Sequence, residues 1–314
     1  MAVYTRLSRQ EIESHLKNYS LGELIDFQEI IEGIDNSNFI ITTQKGKFIL
    51  TIFESRINKN ELPFFINFKL HLSQKGINCP QPIANNSEEL LVDLKGKKSL
   101  IVTFVLGSAL KGKIEANDCF EVGKYAAKLH LAASGFVMSR NNELGIEGFR
   151  KLFDKFSHLL DGYQKDLREE ILAEISFLEK STRSELPSCV AHLDLFPDNV
   201  FFNEKQQACG VIDFYFAASE AMIYDFAITV NAWCFDANFN FDEAKFGEML
   251  RGYESCRVFE SAEKDFLKVA LMAASMRFLL TRLHDMFFTP KDSLVKIKDP
   301  QEYLKKLRFF KTKL

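Results

Sequence analysis

The residue pattern of this 314-residue chain changes near residue 106, and this change limits the folds that the chain can adopt. Before it, short runs of β-branched and aromatic residues alternate with turn signals, which is typical of an antiparallel sheet. After it, apolar residues recur at helical spacing over most of the remaining sequence. We therefore expect an α+β protein with two lobes: a small β-rich lobe over residues 1–105 and a larger, mainly helical lobe over residues 106–314.

The first lobe is expected to combine a sheet with two helices. SRQE at 8–11 is a capping-box pattern that opens a short helix. ELPFFINFKLHLSQKG predicts an inserted helix that ends at Gly76, and CPQPI predicts an extended link after it. The predicted strands are FQEIIEGI, NSNFIITT, KFILTIF, LLVDL and SLIVTFVL, with hairpin turns at 44–46 and 95–98.

The second lobe is expected to be a helical body with one short hairpin. Two short apolar segments, NVFF and GVIDF, interrupt the helical pattern and predict this hairpin. The joint near 103–112 is the expected ligand site, because clefts between lobes are favoured binding places. The predicted helices cover roughly 117–133, 147–160, 165–180, 219–233, 241–256, 260–287 and 299–310.

Composition and charge argue against several classes of protein. The net charge is −3, whereas nucleic-acid-binding proteins usually carry a strong basic excess. The basic segment YLKKLRFFKTKL is better interpreted as a solvated helix end. No signal peptide is expected, and the most apolar stretch contains Lys268 and Arg277, so no membrane span is predicted. The six cysteines show no C-x-x-C spacing, which favours reduced thiols in a cytoplasmic protein.

The segment HLDLFPDNVFF at 192–202 carries the most specific pattern in the chain. It places His192 two residues before Asp194, with Asn199 five residues after that aspartate, and Asp213-Phe214 follow in the second hairpin segment. This spacing matches the kinase catalytic loop H-R-D-x-x-x-x-N and the D-F-G start of the next motif. One carboxylate and one carboxamide suit Mg²⁺, which takes its other ligands from water and phosphates. The pattern therefore predicts a phosphoryl-transfer site.

Structural roles for single residues stay open beside this interpretation. Asp198 is better explained as part of the turn after Pro197 than as a substrate contact. His192 belongs to the predicted catalytic loop, where a buried histidine that holds the loop is favoured over an acid or a base. Two motifs at matching spacing and in matching order favour the kinase interpretation over chance.

The two motifs resemble those of small-molecule kinases related to aminoglycoside phosphotransferases and choline kinases, which share a bilobal protein-kinase-like fold. Further segments, spread over nearly the whole chain, resemble the homoserine kinases of that fold. These segments are MAVYT, EGIDNSNF, FILTIFE, LPFF, CPQPI, YDFAITVNAWCF, RFLLTRL and KDPQEYLKKLRFF.

The resemblance implies an ATP-dependent kinase that phosphorylates the side-chain hydroxyl of L-homoserine, a step of threonine biosynthesis. Asp194 would accept the proton of the attacking hydroxyl, and Asn199 and Asp213 would hold Mg²⁺ against the ATP phosphates. Asp225 would brace the catalytic loop from the following helix.

The resemblance also implies where the nucleotide binds. A loop at 33–38 would cover the phosphates, and the chain at 103–105 would receive adenine through its backbone. The residues concerned are Gly33, Asn36, Ser37, Asn38, Thr103, Phe104 and Val105.

The sequence departs from the family pattern at the phosphates. The glycine-rich G-x-G-x-x-G is absent, and Thr51 stands where most relatives carry a Lys or Arg. Arg56 or Lys47 is a possible source of the missing positive charge, but both are better interpreted as charges on the protein surface.

Homoserine also needs a cation for its carboxylate, and a fork-shaped arginine is the best partner. Arg277 and Arg282 lie five apart on one predicted helix, so one is expected to face the cleft and the other solvent. Arg282 is alternatively a surface partner of Asp285. Tyr215 is a further substrate candidate, Glu220, Trp233 and Asp236 are weaker ones, and His130 is interpreted as a packed helix residue.

Two rival functions remain open at this point. One is a kinase of the same fold that acts on choline, a sugar or an aminoglycoside. The other is a catalytically inactive relative that binds nucleotide, which the missing cation at Thr51 favours and the intact Asp194, Asn199 and Asp213 disfavour. The sequence leaves the oligomeric state undetermined.

Overall fold

The computed structural model describes residues 5–30, 36–54, 58–182, 185–290 and 297–313. The chain forms two compact units, Met1–Leu106 and Gly107–Leu314. The first unit is rich in strands and the second in helices, so the predicted α+β class is confirmed. The functional assignment of the two lobes stays a prediction.

In the described residues of the first unit, an antiparallel sheet is accompanied by two helices. Its helices are α1 (Arg9–Leu16) and α2 (Leu62–Gln74), which is preceded by a 3₁₀ turn, Lys59–Glu61. The strands are β1 (Leu24–Ile30), β2 (Asn36–Thr43), β3 (Gly46–Phe53), β4 (Pro82–Ile83), β5 (Val92–Leu94) and β6 (Lys97–Thr103). The sheet order is β1-β2-β3-β6-β4, with β5 paired to β6. Both predicted hairpins, β2–β3 and β5–β6, are confirmed.

One face of this sheet packs against α1. The predicted capping box is present, because Ser8 accepts from the backbone of Glu11 and the Glu11 side chain accepts from the backbone of Ser8. Burial of the helix supplies most of its stability, since eight residues are too few for an isolated helix in water. The buried cluster includes Ile12, Leu16, Phe39, Ile41, Leu50, Ile52 and Ile101.

The second unit is mainly helical. The longest helix among the described residues, α8 (Ser261–Phe288), lies close to its predicted bounds, 260–287. Among the described residues, no helix combines the length and the hydropathy that a membrane span requires. The helices are α3 (Ala116–Ala133), α4 (Ile146–Asp154), α5 (Leu167–Ser181), α6 (Met222–Trp233), α7 (Glu243–Glu254), α8 (Ser261–Phe288) and α9 (Gln301–Lys313).

Two helix predictions in this unit need correction. The helix expected over 147–160 ends at Asp154, and a 3₁₀ segment, Ser157–Gly162, follows it. The helix expected from 219 begins only at Met222. The residues before Met222 form a strand whose pairing lies about 30 positions back in the chain, which a local pattern cannot reveal.

The described part of the second unit also contains four short strands. They are β7 (Ser188–Ala191), β8 (Val200–Phe202), β9 (Ala208–Val211) and β10 (Ala218–Ala221). The β8–β9 pair is the predicted hairpin, whereas the β7–β10 pair was not predicted.

Helices α3 and α7 approach each other closely at two glycines. A Cβ atom on Gly123 of α3 would lie 2.1 Å from the carbonyl oxygen of Met249, and one on Gly252 of α7 would lie 2.0 Å from that of Phe120. Any larger residue would force the two backbones apart. The two glycines therefore set the spacing of these helices.

Candidate active site

The hairpin brings the predicted catalytic residues together. The backbone N–H of Ile212 donates to the carbonyl of Asn199 at 3.0 Å, which places Asp213 beside the start of β8. Asn199 Nδ2 donates to Asp194 Oδ2 at 3.0 Å and to the Asp194 carbonyl at 2.8 Å. Asp194, Asn199 and Asp213 thus form one polar group at the end of the hairpin.

Asp194 lies in a setting that disfavours its charged form. Its surface is only partly accessible, and protein surrounds most of the carboxylate. This burial raises its pKa to about 7; the positive charge of Arg277 opposes the shift, and the negative charge of Asp213 adds to it. A carboxylate with such a pKa is a competent proton acceptor near neutral pH.

The backbone before Asp194 is held from both sides. Leu193 has a φ of +62°, a left-handed conformation that is strained for a leucine. Its N–H donates to Asp225 Oδ1 at 2.7 Å, and its carbonyl accepts from the guanidinium of Arg277. The prediction that Asp225 braces the catalytic loop is therefore confirmed.

The charge of Asp225 is retained although the side chain is fully buried. Burial alone would raise its pKa, but hydrogen bonds from His130 and from the Leu193 N–H hold the pKa below its usual range. Removing a hydrogen-bond donor from a buried charge is strongly destabilising. Asp225 is thus a fixed anchor for the loop.

His192, which belongs to the predicted catalytic loop, holds that loop, the role that the sequence favoured over that of an acid or a base. Its Nδ1 accepts from the Asp194 N–H at 3.2 Å, and its Nε2 donates to the carbonyl of Ile212 at 2.9 Å. Burial lowers its pKa to about 4, so the ring is neutral at pH 7. Because both nitrogens have backbone partners, one within the loop and one at Ile212 just after β9, His192 positions the loop rather than transferring a proton.

Trp233 contacts the same loop. The weak substrate candidate Trp233 is fully buried, and its Nε1 donates to the carbonyl of Leu195 at 2.7 Å. It is a loop support, and the sequence offered no signal for that role.

The two candidate arginines of α8 have different surroundings. Arg277 is 2% exposed and lies over the rings of Phe216 and Phe278. Its Nε has no hydrogen-bond partner, and its Nη1 donates to a neutral group, the carbonyl of Leu193. A buried guanidinium without a partner anion is costly, so it is a candidate anion site.

Arg282 does not face solvent, and it does not pair with Asp285. It is 9% exposed, and its Nη1 donates to Glu302 at 2.6 Å and to the carbonyl of Asp299 at 2.8 Å. The expectation of one exposed arginine is therefore wrong. Arg282 joins α8 to α9, and its role as a substrate ligand has no geometric support.

The predicted phosphate-binding residues of β2 face opposite sides of the sheet. Asn38 accepts from the Thr51 hydroxyl at 2.8 Å, so these two share one face. Ser37 is fully buried on the other face, where its hydroxyl donates to Glu54 at 2.7 Å. Since strand side chains alternate, Ser37 and Asn38 cannot both cover phosphates. Asn36 is buried and accepts from the Glu54 N–H, and Gly33 lies outside the described residues.

The predicted adenine-binding residues lie at the end of β6. Thr103 exchanges hydrogen bonds with Gln81: its N–H donates to the Gln81 carbonyl, and its hydroxyl accepts from the Gln81 N–H. Its N–H is therefore not available to adenine, while Phe104 and Val105 stay predictions. Lys47 is exposed and lies 6.0 Å from the Phe104 ring centroid, which fits a surface charge. Arg56 lies outside the described residues.

The remaining candidates have separate surroundings. Glu220 lines a cavity of about 570 Å³ with Asn142 and Tyr224, and Asp194 is not among the described residues that line it. Burial raises the pKa of Glu220. Asp236 accepts from the backbone of a loop, including the Asn240 N–H at 2.8 Å, which is a structural role.

Tyr215 lies close enough to Asp213, and Lys298 close enough to Asp194, for their charges to interact. Burial raises the pKa of Tyr215, and the nearby charge of Asp213 adds to the shift. Lys298 is exposed, and its charge opposes the raised pKa of Asp194. Its Nζ lies 5.7 Å from the Phe196 ring centroid. No local residue pattern pointed to this cation, because it follows the loop that contains Asp194 by about a hundred residues.

The donor set fits a magnesium ion that is shared with phosphates. Asn199 uses its Nδ2 within the loop, and its Oδ1 accepts no hydrogen bond from the described residues. Asp213 adds an exposed carboxylate. No group of three or more His, Cys, Asp or Glu in the described ranges could hold a metal alone. Two oxygen donors completed by phosphates and water are what Mg²⁺ accepts.

Solved structures of similar fold are small-molecule kinases. A spectinomycin phosphotransferase, APH(9)-Ia, in complex with ADP and spectinomycin aligns with a TM-score of 0.69 and 13% identity, covering 98% of this chain and 94% of that one. A choline kinase from Cryptosporidium parvum Iowa II aligns with a TM-score of 0.66 and 16% identity, covering 96% and 94%. At these identities the likeness establishes the protein-kinase-like fold.

Comparison of sequences identifies the family more specifically than the fold does. The phosphotransferase enzyme family profile matches residues 26–259. A homoserine kinase from Agrobacterium fabrum (strain C58) is 43% identical over 312 residues, which cover 99% of this chain and 96% of the relative. With a kinase fold, a matching catalytic loop and full-length similarity, this chain belongs to the phosphotransferase enzyme family, in the branch that contains the homoserine kinases.

Proposed function

We propose that this protein transfers the γ-phosphoryl group of ATP to the side-chain hydroxyl of L-homoserine, which gives ADP and O-phospho-L-homoserine for threonine biosynthesis. One observation carries the proposal: Asp194, Asn199 and Asp213 form one polar group in a chain that is 43% identical to a homoserine kinase over its full length.

Asp194 is the proposed base. Its Oδ2 is fixed by Asn199, and its raised pKa suits a carboxylate that takes the proton of the homoserine hydroxyl. Phosphoryl transfer needs little covalent help from the protein, so positioning and charge neutralisation dominate. The Leu193 backbone, hydrogen-bonded to Asp225 and Arg277, serves the positioning.

Asn199 and Asp213 are the proposed magnesium ligands. The Asn199 Oδ1 and the exposed Asp213 carboxylate provide two hard oxygen donors beside Asp194. When bound there, Mg²⁺ would neutralise charge on the ATP phosphates. Asn199 would also keep Asp194 oriented, because its Nδ2 remains hydrogen-bonded to the carboxylate.

Arg277 is the proposed partner of the homoserine carboxylate. Its guanidinium is buried, has an unpartnered Nε and is close enough to influence the charge of Asp194. An amino acid that places its hydroxyl at Asp194 could place its carboxylate at this cation. Choline has no carboxylate, so the buried Arg277 favours homoserine over choline as the acceptor.

An acceptor panel tests the proposal. The purified protein is incubated with ATP, Mg²⁺ and either L-homoserine, L-serine, choline or an aminoglycoside, and ADP release is followed. We expect a kcat/KM for homoserine at least tenfold above that for each other acceptor, with a phosphorylated product confirmed by mass spectrometry. A higher kcat/KM for choline or the aminoglycoside would replace the proposed substrate, and no ADP release with any acceptor would favour an inactive relative.

A further inference from the structure

Tyr303 of α9 carries a buried hydroxyl group that has no hydrogen-bond partner among the described residues. Its side chain is 0% exposed, and the hydroxyl oxygen is unsatisfied. Such a group costs free energy in a folded protein, so its presence calls for an explanation. The Nε of Arg277 on α8 is in the same state. Two unsatisfied donors thus lie on two helices that pack together.

The ring of Tyr303 is held in place by neighbouring side chains. Its centroid lies 5.0 Å from that of Phe278 on α8, and the cationic groups of Arg282 and Lys306 lie over the ring at 4.4 and 4.5 Å. Both of these cations pair with Glu302, so their charges are already compensated. The packing fixes the direction of the hydroxyl before any ligand arrives, which lowers the entropic cost of binding.

Ring contacts connect Tyr303 to the loop that contains Asp194. Phe278 also meets Phe196, edge to face, with 5.0 Å between the ring centroids. Phe196 follows Asp194 by two positions, and its N–H donates to the Asp194 carbonyl at 2.8 Å. The guanidinium of Arg277 lies 4.8 Å from the Phe278 centroid. Phe278 is therefore a common neighbour of Tyr303, of Arg277 and of the loop.

The charges around the Tyr303 hydroxyl agree with this placement. Burial raises the pKa of Tyr303, the negative charge of Asp194 adds to the shift, and the positive charge of Arg277 opposes it. The hydroxyl therefore keeps its proton near neutral pH and can donate it in a hydrogen bond. The charges of the proposed base and of the proposed carboxylate partner both act on this group.

We propose that Tyr303 determines specificity for the acceptor: its hydroxyl and the Nε–H of Arg277 both donate to the carboxylate of L-homoserine. This inference rests on the proposed kinase reaction. A carboxylate only accepts hydrogen bonds, and its two oxygens take one from each donor. Because both donors are buried, the ligand has to displace a covering side chain. Phe216 is such a side chain, since it is 40% exposed and its ring centroid lies 5.2 Å from the Arg277 guanidinium.

Tyr303→Phe tests the inference by steady-state kinetics, because it removes the hydroxyl and keeps the ring. We expect the KM for homoserine to rise roughly 10- to 100-fold, since a hydrogen bond to a charged group is lost. A contact that is equal in the ground state and the transition state affects binding alone, so kcat and the KM for ATP should stay within about threefold of wild type. The melting temperature should not fall, because the hydroxyl has no partner to lose among the described residues.

Tyr19→Phe is the matched control. Tyr19 lies in the first unit, is 5% exposed and also has a hydroxyl without a hydrogen-bond partner among the described residues. The same chemical change at the same kind of side chain, outside the proposed site, should leave the KM for homoserine unchanged.

A second acceptor tests which group of homoserine is bound. Propanolamine with its amine and hydroxyl at opposite ends of the chain is homoserine without the carboxylate. Its kcat/KM, measured with wild type and with Tyr303→Phe, should differ by no more than about twofold, because the lost donor has no carboxylate to bind. An equal proportional loss with both acceptors would show that the hydroxyl does not contact the carboxylate.

Two further results would overturn the inference. They are an unchanged homoserine KM in Tyr303→Phe and an equal rise of this KM in both tyrosine variants. Wild-type protein measured alongside separates the two proposals. A wild type that does not phosphorylate homoserine contradicts the proposed function, whereas an active wild type with an unaffected Tyr303→Phe variant contradicts only the role of Tyr303.

Discussion

The carboxylate of Asp225 accepts a 2.7 Å hydrogen bond from the backbone N–H of Leu193, the residue that precedes Asp194. Leu193 has a φ of +62°, so its conformation costs free energy that the surrounding contacts must offset. Asp225 and Arg277 supply those contacts, one at the N–H and one at the carbonyl.

Replacing Asp225 by Asn should therefore weaken both the fold and the reaction. The amide cannot accept from the Leu193 N–H and from His130 as a carboxylate does, so we expect a loss of roughly 3–5 kcal/mol in the free energy of unfolding. Urea denaturation measures this loss, and kcat should also fall. A variant with wild-type stability would show that the buried carboxylate is not required.

Asp194→Asn removes the proposed base with little change in shape. We expect kcat to fall by roughly 10²–10⁴, because general base catalysis contributes about that factor. ATP binding, measured by calorimetry, should stay nearly unchanged. Turnover near the wild-type level in this variant would defeat the proposed mechanism.

Asp213→Ala removes one proposed magnesium ligand. We expect the Mg²⁺ concentration needed for half-maximal activity to rise at least tenfold, since only Asn199 would remain of the two oxygen donors. Because Asp213 is exposed, we expect only a small change in the free energy of unfolding. An unchanged Mg²⁺ dependence would count against this ligand.

Arg277→Lys tests recognition of the acceptor carboxylate. Lysine keeps the positive charge but lacks the planar guanidinium group that can donate two parallel hydrogen bonds to a carboxylate. We therefore expect the KM for homoserine to rise roughly tenfold while the KM for ATP changes little. Arg282→Lys is the matched control on the same helix, because Arg282 pairs with Glu302 and has no assigned ligand. Equal effects of both substitutions on the homoserine KM would refute the assignment.

Glu302 makes the α8–α9 contact dependent on pH. Burial would raise its pKa, but Lys306 and Arg282 hold the pKa below its usual range. A lowered pKa in the folded state means that the carboxylate stabilises the fold above its ordinary pKa, near 4.3, and that this contribution is lost as the pH falls through the folded-state value.

Glu302→Gln should thus lower the free energy of unfolding by roughly 1–3 kcal/mol at pH 7. The difference from wild type should shrink as the pH drops below 4. Thermal melts of both proteins from pH 3 to pH 8 measure it. A difference that stays constant over this range would mean that the charge of Glu302 does not matter.

The fold class and most elements could be predicted because their signals are local. The alternation in NSNFIITT and KFILTIF, with a turn between them, predicts the β2–β3 hairpin without any distant partner. The strand β10 could not be predicted in this way. Its residues pair with β7 about 30 positions earlier, and their own pattern resembles the start of a helix.

The residues that were predicted to bind phosphate show the same limit. The motif placed Ser37 and Asn38 together because they are adjacent in the sequence. In a strand, adjacent side chains point to opposite faces, and the packing of α1 decides which face is buried. Ser37 lies on the face that packs against α1 and Asn38 on the other.

The sequence by itself determined the kinase signature, because Asp194 and Asn199 lie in one loop and Asp213 follows two residues after the partner strand of a short hairpin. Only the tertiary structure decided which other polar residues serve that loop. His130 contacts Asp225 across 95 positions and Trp233 contacts Leu195 across 38, and Arg277 rather than Arg282 approaches Asp194. Such contacts depend on how separate helices pack, which local residue patterns do not encode.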